Sequence, residues 1–203
     1  MNKTVLISIG IFMTTPVSAS ALEISAMGLL DQGKVTSDLN TRYTSNSAFG
    51  FGSLLSFGFD SSFNIEVGAL FAPRKYELVQ SGSDTTINYN TLQFPILCRF
   101  SFLNVASVGA GAFFEKVFGN VTYRDNLSGT ESSFSWDDRS MSTLGSTNLG
   151  LEIAAGVRFP LFPMTHLRLD GRYLLGLTNI NYTGYNTVKT RDFQFLAGVA
   201  FGL

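Results

Sequence analysis

Apolar and non-apolar residues alternate with a period of two through most of the chain. From Phe49 to Phe59 one parity reads Phe, Phe, Ser, Leu, Phe, Phe, and the other reads Gly, Gly, Leu, Ser, Gly. The same alternation recurs over 63–71, 92–100, 149–159, 167–177 and 193–203, and in weaker form over 22–30 and 105–118. Successive Cβ atoms of a strand point to opposite faces, so a period of two predicts strands, here eight of them. Apart from Ser53 and Gly171, every residue on the first face of the six stronger strands is apolar. The opposite face carries Glu66, Arg99, Glu152, Arg158, Arg168, Asp170, Arg172 and Asp192 among many glycines.

Two environments suit such a sheet: a soluble barrel with its apolar face inward, or a membrane barrel with that face in lipid. The apolar face is Phe-rich on every strand and shows no small-large variation suited to filling a core. Its partner face, Gly-rich with isolated Arg and Glu, suits a crowded interior, and strands of about ten residues cross a bilayer when tilted. The connections alternate in length. Short ones fall at Asp60–Ser62, Leu103–Asn104 and Pro160–Thr165, and long ones at about 31–47, 76–90, 119–143 and 179–191. Short turns at one end and long loops at the other are the asymmetry of outer-membrane barrels. The predicted fold is therefore an all-β, eight-stranded antiparallel up-and-down transmembrane β-barrel over 22–203, both termini periplasmic, strand eight closing on strand one. Aromatic belts follow, with Tyr76, Tyr89, Trp136, Tyr182 and Tyr185 near the long loops. Phe59, Phe63, Phe100, Phe102, Phe159 and Phe162 mark the short-turn end. Pro95 interrupts this picture, since it lacks an N–H, and a local bulge is expected there.

The first 21 residues read as an export signal: Lys3, an apolar stretch over Val5–Met13, and the small-x-small site Ala19-Ser20-Ala21. Charged residues make up only 14% of the 203-residue chain, against about 25% in soluble domains. With 14 Lys plus Arg against 15 Asp plus Glu there is no cationic excess for electrostatic nucleic-acid binding. The single Cys98 excludes a disulfide scaffold, and on the lipid-facing parity it reads as an inert small apolar residue.

An eight-stranded barrel is just wide enough for side chains to fill its lumen. The inward set includes Glu66, Glu115, Glu152 and Asp170 against Arg99, Arg158, Arg168 and Arg172, and charges withdrawn from water must pair. Folding the chain about the 160–165 turn brings Glu152 level with Arg172, a predicted pair. Balanced signs point to a closed, register-fixing polar core rather than an ion filter, which would carry a ring of one sign. No zinc spacing, phosphate-binding loop or nucleophile elbow is present, so no metal, cofactor or catalytic residue is assigned. His166, the one histidine, lies at the short-turn end, far from the outer leaflet where a lipid hydrolase would work. In the longest loop, Phe134-Ser135-Trp136-Asp137-Asp138-Arg139 offers Trp136 as a candidate contact with a partner.

Three stretches carry a family resemblance. Leu92-Gln93-Phe94-Pro95-Ile96-Leu97 and Asp170-Gly171-Arg172-Tyr173-Leu174-Leu175-Gly176-Leu177-Thr178-Asn179-Ile180 resemble motifs of small bacterial outer-membrane β-barrel domain proteins, the PorT-like and OmpX-like group. The end, Gly198-Val199-Ala200-Phe201-Gly202-Leu203, resembles the terminal strand read by the barrel-assembly machinery, with Gly198, Phe201 and Leu203 as the signal. Leu203 stands where an aromatic residue is commoner. The resemblance implies architecture more than activity. The expectation is a non-enzymatic, porin-like barrel protein of the Gram-negative outer membrane with a closed, salt-bridged lumen. It would act through external loops in adhesion, partner binding or envelope support. Outer-membrane lipid, the assembly machinery and an extracellular or envelope protein are the expected partners. A narrow passive pore and a membrane-embedded lipid hydrolase are the alternatives.

Overall fold

The computed structural model describes residues 22–37, 42–59, 62–80, 83–102, 105–135, 146–180 and 188–203. The expected export segment, residues 1–21, and Trp136, Tyr182 and Tyr185 lie outside them. Among the described residues ten strands form one sheet: β1 Leu22–Ser37, β2 Arg42–Ser45, β3 Ser47–Gly58, β4 Phe63–Gln80, β5 Ser83–Phe102, β6 Ala106–Asp125, β7 Glu131–Ser135, β8 Thr147–Phe162, β9 Thr165–Gly176 and β10 Val188–Gly202. Eight of these pair antiparallel around a closed ring, β1-β3-β4-β5-β6-β8-β9-β10, and β10 returns to β1 along its whole length from Glu23↔Gly202 to Ser37↔Val188. Closure leaves no edge at membrane depth, so the backbone polar groups of the ring are met by neighbouring strands.

Several strands are longer than their apolar alternation suggests. At about 3.4 Å per residue and a tilt near 45°, a 20-residue strand rises about 48 Å, well past an apolar band of about 25 Å. β4, β5 and β6 therefore continue beyond the membrane as a crest. The segment 76–90, expected as a long loop, is instead largely the paired outer ends of β4 and β5, from Tyr76↔Ile87 to Gln80↔Ser83. The loop prediction failed because polarity rises on both faces once the strands leave lipid, while the ladder continues. Two short strands widen the crest: β2 pairs the outer end of β4, and β7 pairs the outer end of β6. The turn from β6 to β7 is held by Asp125, whose carboxylate accepts the Leu127 N–H at 2.9 Å and the Ser128 hydroxyl at 2.7 Å. Those two donors hold the exposed Asp125 carboxyl below its ordinary range.

Pro95 causes no bulge. The β4–β5 ladder keeps one register across it, with Val67↔Ile96 on one side and Leu70↔Gln93 on the other. The register shift in β5–β6 falls instead between Asn88 and Asn90, opposite Gly119, whose φ of 74° is the left-handed conformation glycine adopts freely. At the other end β8 runs to Phe162, so the turn before β9 is only Pro163-Met164, tighter than the six-residue connection expected.

The outward face is the apolar parity. Phe49, Phe51, Phe59, Phe63, Phe100, Phe102, Phe159, Phe162, Phe193, Phe195 and Phe201 are all exposed there. Tyr76 and Tyr89, expected in the outer belt, turn inward and are buried, because both sit on the lumen parity of strand ends where the sequence pattern predicts a loop.

The lumen has no room to spare at mid-height. Met27, Leu29, Leu54, Leu70, Ala72 and Leu196 pack together there, and a Cβ on Gly52 would fall 2.7 Å from both Cα and Cδ2 of Leu70. Gly52→Val is expected to destabilise the barrel by about 1–3 kcal/mol through overpacking. Ser53→Val, one residue along on the lipid face, is expected to be neutral. Urea titration in detergent micelles, read as loss of the heat-modifiable folded band on a gel, compares the two.

Candidate functional site

The chemistry of this chain is concentrated in its lumen. Alternation sends Glu23, Ser25 and Asp31 of β1, Glu66 and Arg74 of β4, and Arg99 of β5 inward. Glu115 of β6, Glu152 of β8, His166, Arg168, Asp170 and Arg172 of β9, and Asp192 of β10 join them, all buried. They sort by height into two ion-pair clusters.

The inner cluster, nearer the short turns, is centred on Glu66, whose carboxylate meets three guanidinium groups. Arg99 Nε lies 3.1 Å away, Arg172 Nη2 at 2.8 Å, and Arg168 Nη2 donates to Oε2 as well. Asp170 binds the same three arginines, accepting from Arg99 at 3.0 Å, Arg168 at 2.7 Å and Arg172 at 3.4 Å. Glu152 Oε1 accepts from Arg172 Nη1 at 2.8 Å, although in the ladder Arg172 faces Ala154 rather than Glu152. The pair is thus made by a diagonal reach of two residues rather than by level positions. Arg158 lies 3.4 Å from Glu23 at the mouth and is a quarter exposed.

The outer cluster forms around Arg74, a residue sequence reasoning missed. Its guanidinium lies 2.5 Å from Asp31, 2.7 Å from Glu115 and 3.2 Å from Asp192. Asn148 donates to Glu115 at 3.1 Å and to Thr190 at 2.9 Å, tying β6, β8 and β10 together. Glu115 therefore belongs to a separate group from the other predicted lumen charges. Asp31 falls in a segment expected as loop and Arg74 just past the end of the expected strand 63–71; continuing the strand parity outward finds both.

Between the clusters lies the apolar layer around Leu54 and Leu70, with Gln194 Nε2 donating to Gln93 Oε1 at 2.8 Å. Above the outer cluster, Val35, Tyr76, Tyr89, Val117, Val121, Ile180 and Val188 form a second buried apolar cluster. From the short turns outward the lumen thus alternates charged, apolar, charged, apolar.

The remaining predicted residues fall elsewhere. His166 is buried at the short-turn end, and its Nδ1 has no hydrogen-bond partner among the described residues. Cys98 is exposed on the outward parity. Phe201 and Leu203 face outward, whereas Gly198 faces the lumen, where a Cβ would fall 2.7 Å from the Met27 sulfur. Among the described residues no group of His, Cys, Asp or Glu has the arrangement of a metal site.

Residues 9–182 match the family described as outer membrane protein beta-barrel domain. Among solved structures the chain is similar to the outer membrane protein OprG from Pseudomonas aeruginosa, at 14% identity and TM-score 0.58, covering 90% of this chain and 95% of that one. It is also similar to the outer membrane protease OmpT from Escherichia coli, at 9% identity and TM-score 0.50, covering 94% and 99%. No curated protein sequence matches it. At these identities the likeness concerns fold alone.

The two clusters differ in balance, and that difference is testable. Removing the charge of Glu66 leaves three buried arginines short of their shared anion, so Glu66→Gln is expected to destabilise the barrel by about 3–5 kcal/mol. Arg74 faces three carboxylates that repel one another, so Asp192→Asn is expected to lower stability by no more than about 1 kcal/mol. Urea midpoints of the folded band in micelles give both values; equal losses would contradict the two-cluster account.

Proposed function

The chain belongs to the outer membrane protein β-barrel domain family, and from that premise we propose that it is a non-conducting barrel of the bacterial outer membrane whose contacts are made on the extracellular side. The observation that carries this reading is the filled lumen. Arg74, Arg99, Arg172, Glu66, Glu152, Gln93, Gln194, Leu54, Leu70, Leu97, Leu174 and Phe113 are each less than 2% exposed, and together they occupy every level from the inner cluster to the outer one. A hydrated conduit would leave some of these side chains wet.

The outer ends of β2, β4, β5, β6 and β7 then supply the working surface. They stand clear of the membrane on a rigid buried cluster, as a scaffold for loops does in many binding proteins. Trp136 follows directly on β7, and we assign it to the contact with an extracellular or envelope partner. Adhesion and envelope support both fit such a crest. The reading is non-enzymatic: the one histidine lies at the far end of the barrel from that surface.

Planar-bilayer recording of the refolded protein tests the closed lumen. Heat-modifiable protein that inserts without steady conductance is the expected result. Steady single-channel steps that change in an Arg172→Ala variant would make transport the function instead.

A further inference from the structure

Charge is divided between the two faces of the wall in a way that points to a ligand. On β1, β3, β9 and β10 every described carboxylate faces the lumen, and none shares the outward parity. The outward parity of the β1–β10 seam carries Lys34, Lys189 and Arg191, all exposed. Lys34 and Arg191 are direct cross-strand partners, and Lys189 lies one outward step beyond Arg191, opposite Thr36. Like charges placed directly opposite one another destabilise a strand pair unless an anion lies between them. None of the three has an ion-pair partner among the described residues, and their outward neighbours there, Gln32, Phe193 and Leu175, are uncharged.

Height identifies the anion. Lys34 stands about twelve residues up β1 from the short-turn end, which at about 3.4 Å per residue and a tilt near 45° is about 29 Å. Arg191, counted from Gly202, comes to about 26 Å by the same rule. Both values fall at the outer edge of an apolar band about 25 Å tall, the level of the outer-leaflet headgroups. Directly below lie Tyr173 and Phe193, whose ring centroids are 4.8 Å apart on the lipid face, an aromatic belt under a basic step. Two Lys ammonium groups and one Arg guanidinium, presented together at headgroup depth, match the phosphate monoesters of a phosphorylated lipid.

We propose that Lys34, Lys189 and Arg191 form a docking site for phosphorylated headgroups of outer-leaflet lipid at the β1–β10 seam. The lipid phosphate supplies the anion that the like-charged pair lacks, and it clamps the two strands whose pairing closes the barrel. The site rests on the membrane-barrel architecture and is independent of whether the lumen conducts.

The test uses the full folded protein in phosphatidylcholine vesicles, with or without one lipid in ten replaced by bisphosphorylated lipid A or by its dephosphorylated form. The readout is the temperature at which the folded gel band is lost. Bisphosphorylated lipid is expected to raise it by about 5–10 °C, and the dephosphorylated form is not. The triple variant Lys34→Gln, Lys189→Gln, Arg191→Gln should match or exceed the wild-type midpoint in plain vesicles, since the like-charge repulsion is gone, and lose most of the rise. Lys116→Gln, an isolated outward lysine on β6, should keep it. The proposal is overturned if the wild type shows no rise or the triple variant retains it. It is equally overturned if Lys116→Gln loses as much, or if inorganic phosphate added to plain vesicles reproduces the effect.

Discussion

Hydrocarbon offers no hydrogen-bond partner, and the rest of this structure follows from that constraint. A sheet can stand in lipid only if it closes, so the seam between β1 and β10 is a condition of existence for the other pairings. Closure at eight strands fixes a lumen too narrow for much water, and the charged side chains sent inward find their partners across a short diameter. Asp170 reaching Arg99 on the opposite wall, and Arg172 reaching Glu66, are that requirement made visible. The ion pairs are thus weak evidence of extra stability in themselves, since desolvation offsets much of their attraction. What they provide is discrimination: in any other register these charges would meet lipid or each other.

The choice of cation separates the two faces. The described lumen uses Arg at 74, 99, 158, 168 and 172, and no Lys. A planar guanidinium with five donors can serve two or three carboxylates at once, as Arg172 serves Glu66, Glu152 and Asp170. A lysine ammonium, compact and strongly hydrated, would lose its water there without that geometric return. Outside, where water and headgroups remain within reach, Lys34, Lys75, Lys116 and Lys189 are exposed.

Alternation alone made the barrel legible, because the apolar parity of each strand had to face lipid and hardly any residue breaks it. The lumen was legible in composition but not in arrangement. Glu66, Arg99, Arg168 and Asp170 were placed inward by parity, yet parity says nothing about which charges share a height, so Glu115 was grouped with residues it does not touch. Heights depend on strand tilt and on the registers of non-adjacent strands, which no local pattern encodes. The crest was illegible for a different reason. Beyond the membrane both faces of a strand become polar and the period of two fades, so Tyr76 and Asp31 resemble loop residues and Arg74 falls past the end of the recognisable alternation. Pro95 misled in the opposite direction: a missing N–H removes a ladder bond without forcing an extra residue into the strand.

Strand β1 and its partner β10 show how one pattern sets two quantities at once. Along β10 the sequence Lys189-Thr190-Arg191-Asp192 alternates outward cation, inward hydroxyl, outward cation, inward carboxylate, and Lys34 on β1 follows an inward Gly33. A slip of one residue would turn Asp192 toward lipid and press Arg191 into the apolar outer lumen beside Val35 and Val188, so the charges lock the register of the closing seam. A slide of the whole barrel toward the short-turn side would carry Lys34, Lys189 and Arg191 into hydrocarbon, at a penalty of about 2–4 kcal/mol for a single such residue at the midplane. A slide the other way would lift Phe193 and Tyr173 out of the headgroup boundary. The same few residues therefore fix register by their parity and depth by their height, and the docking of lipid phosphate at that step would strengthen both.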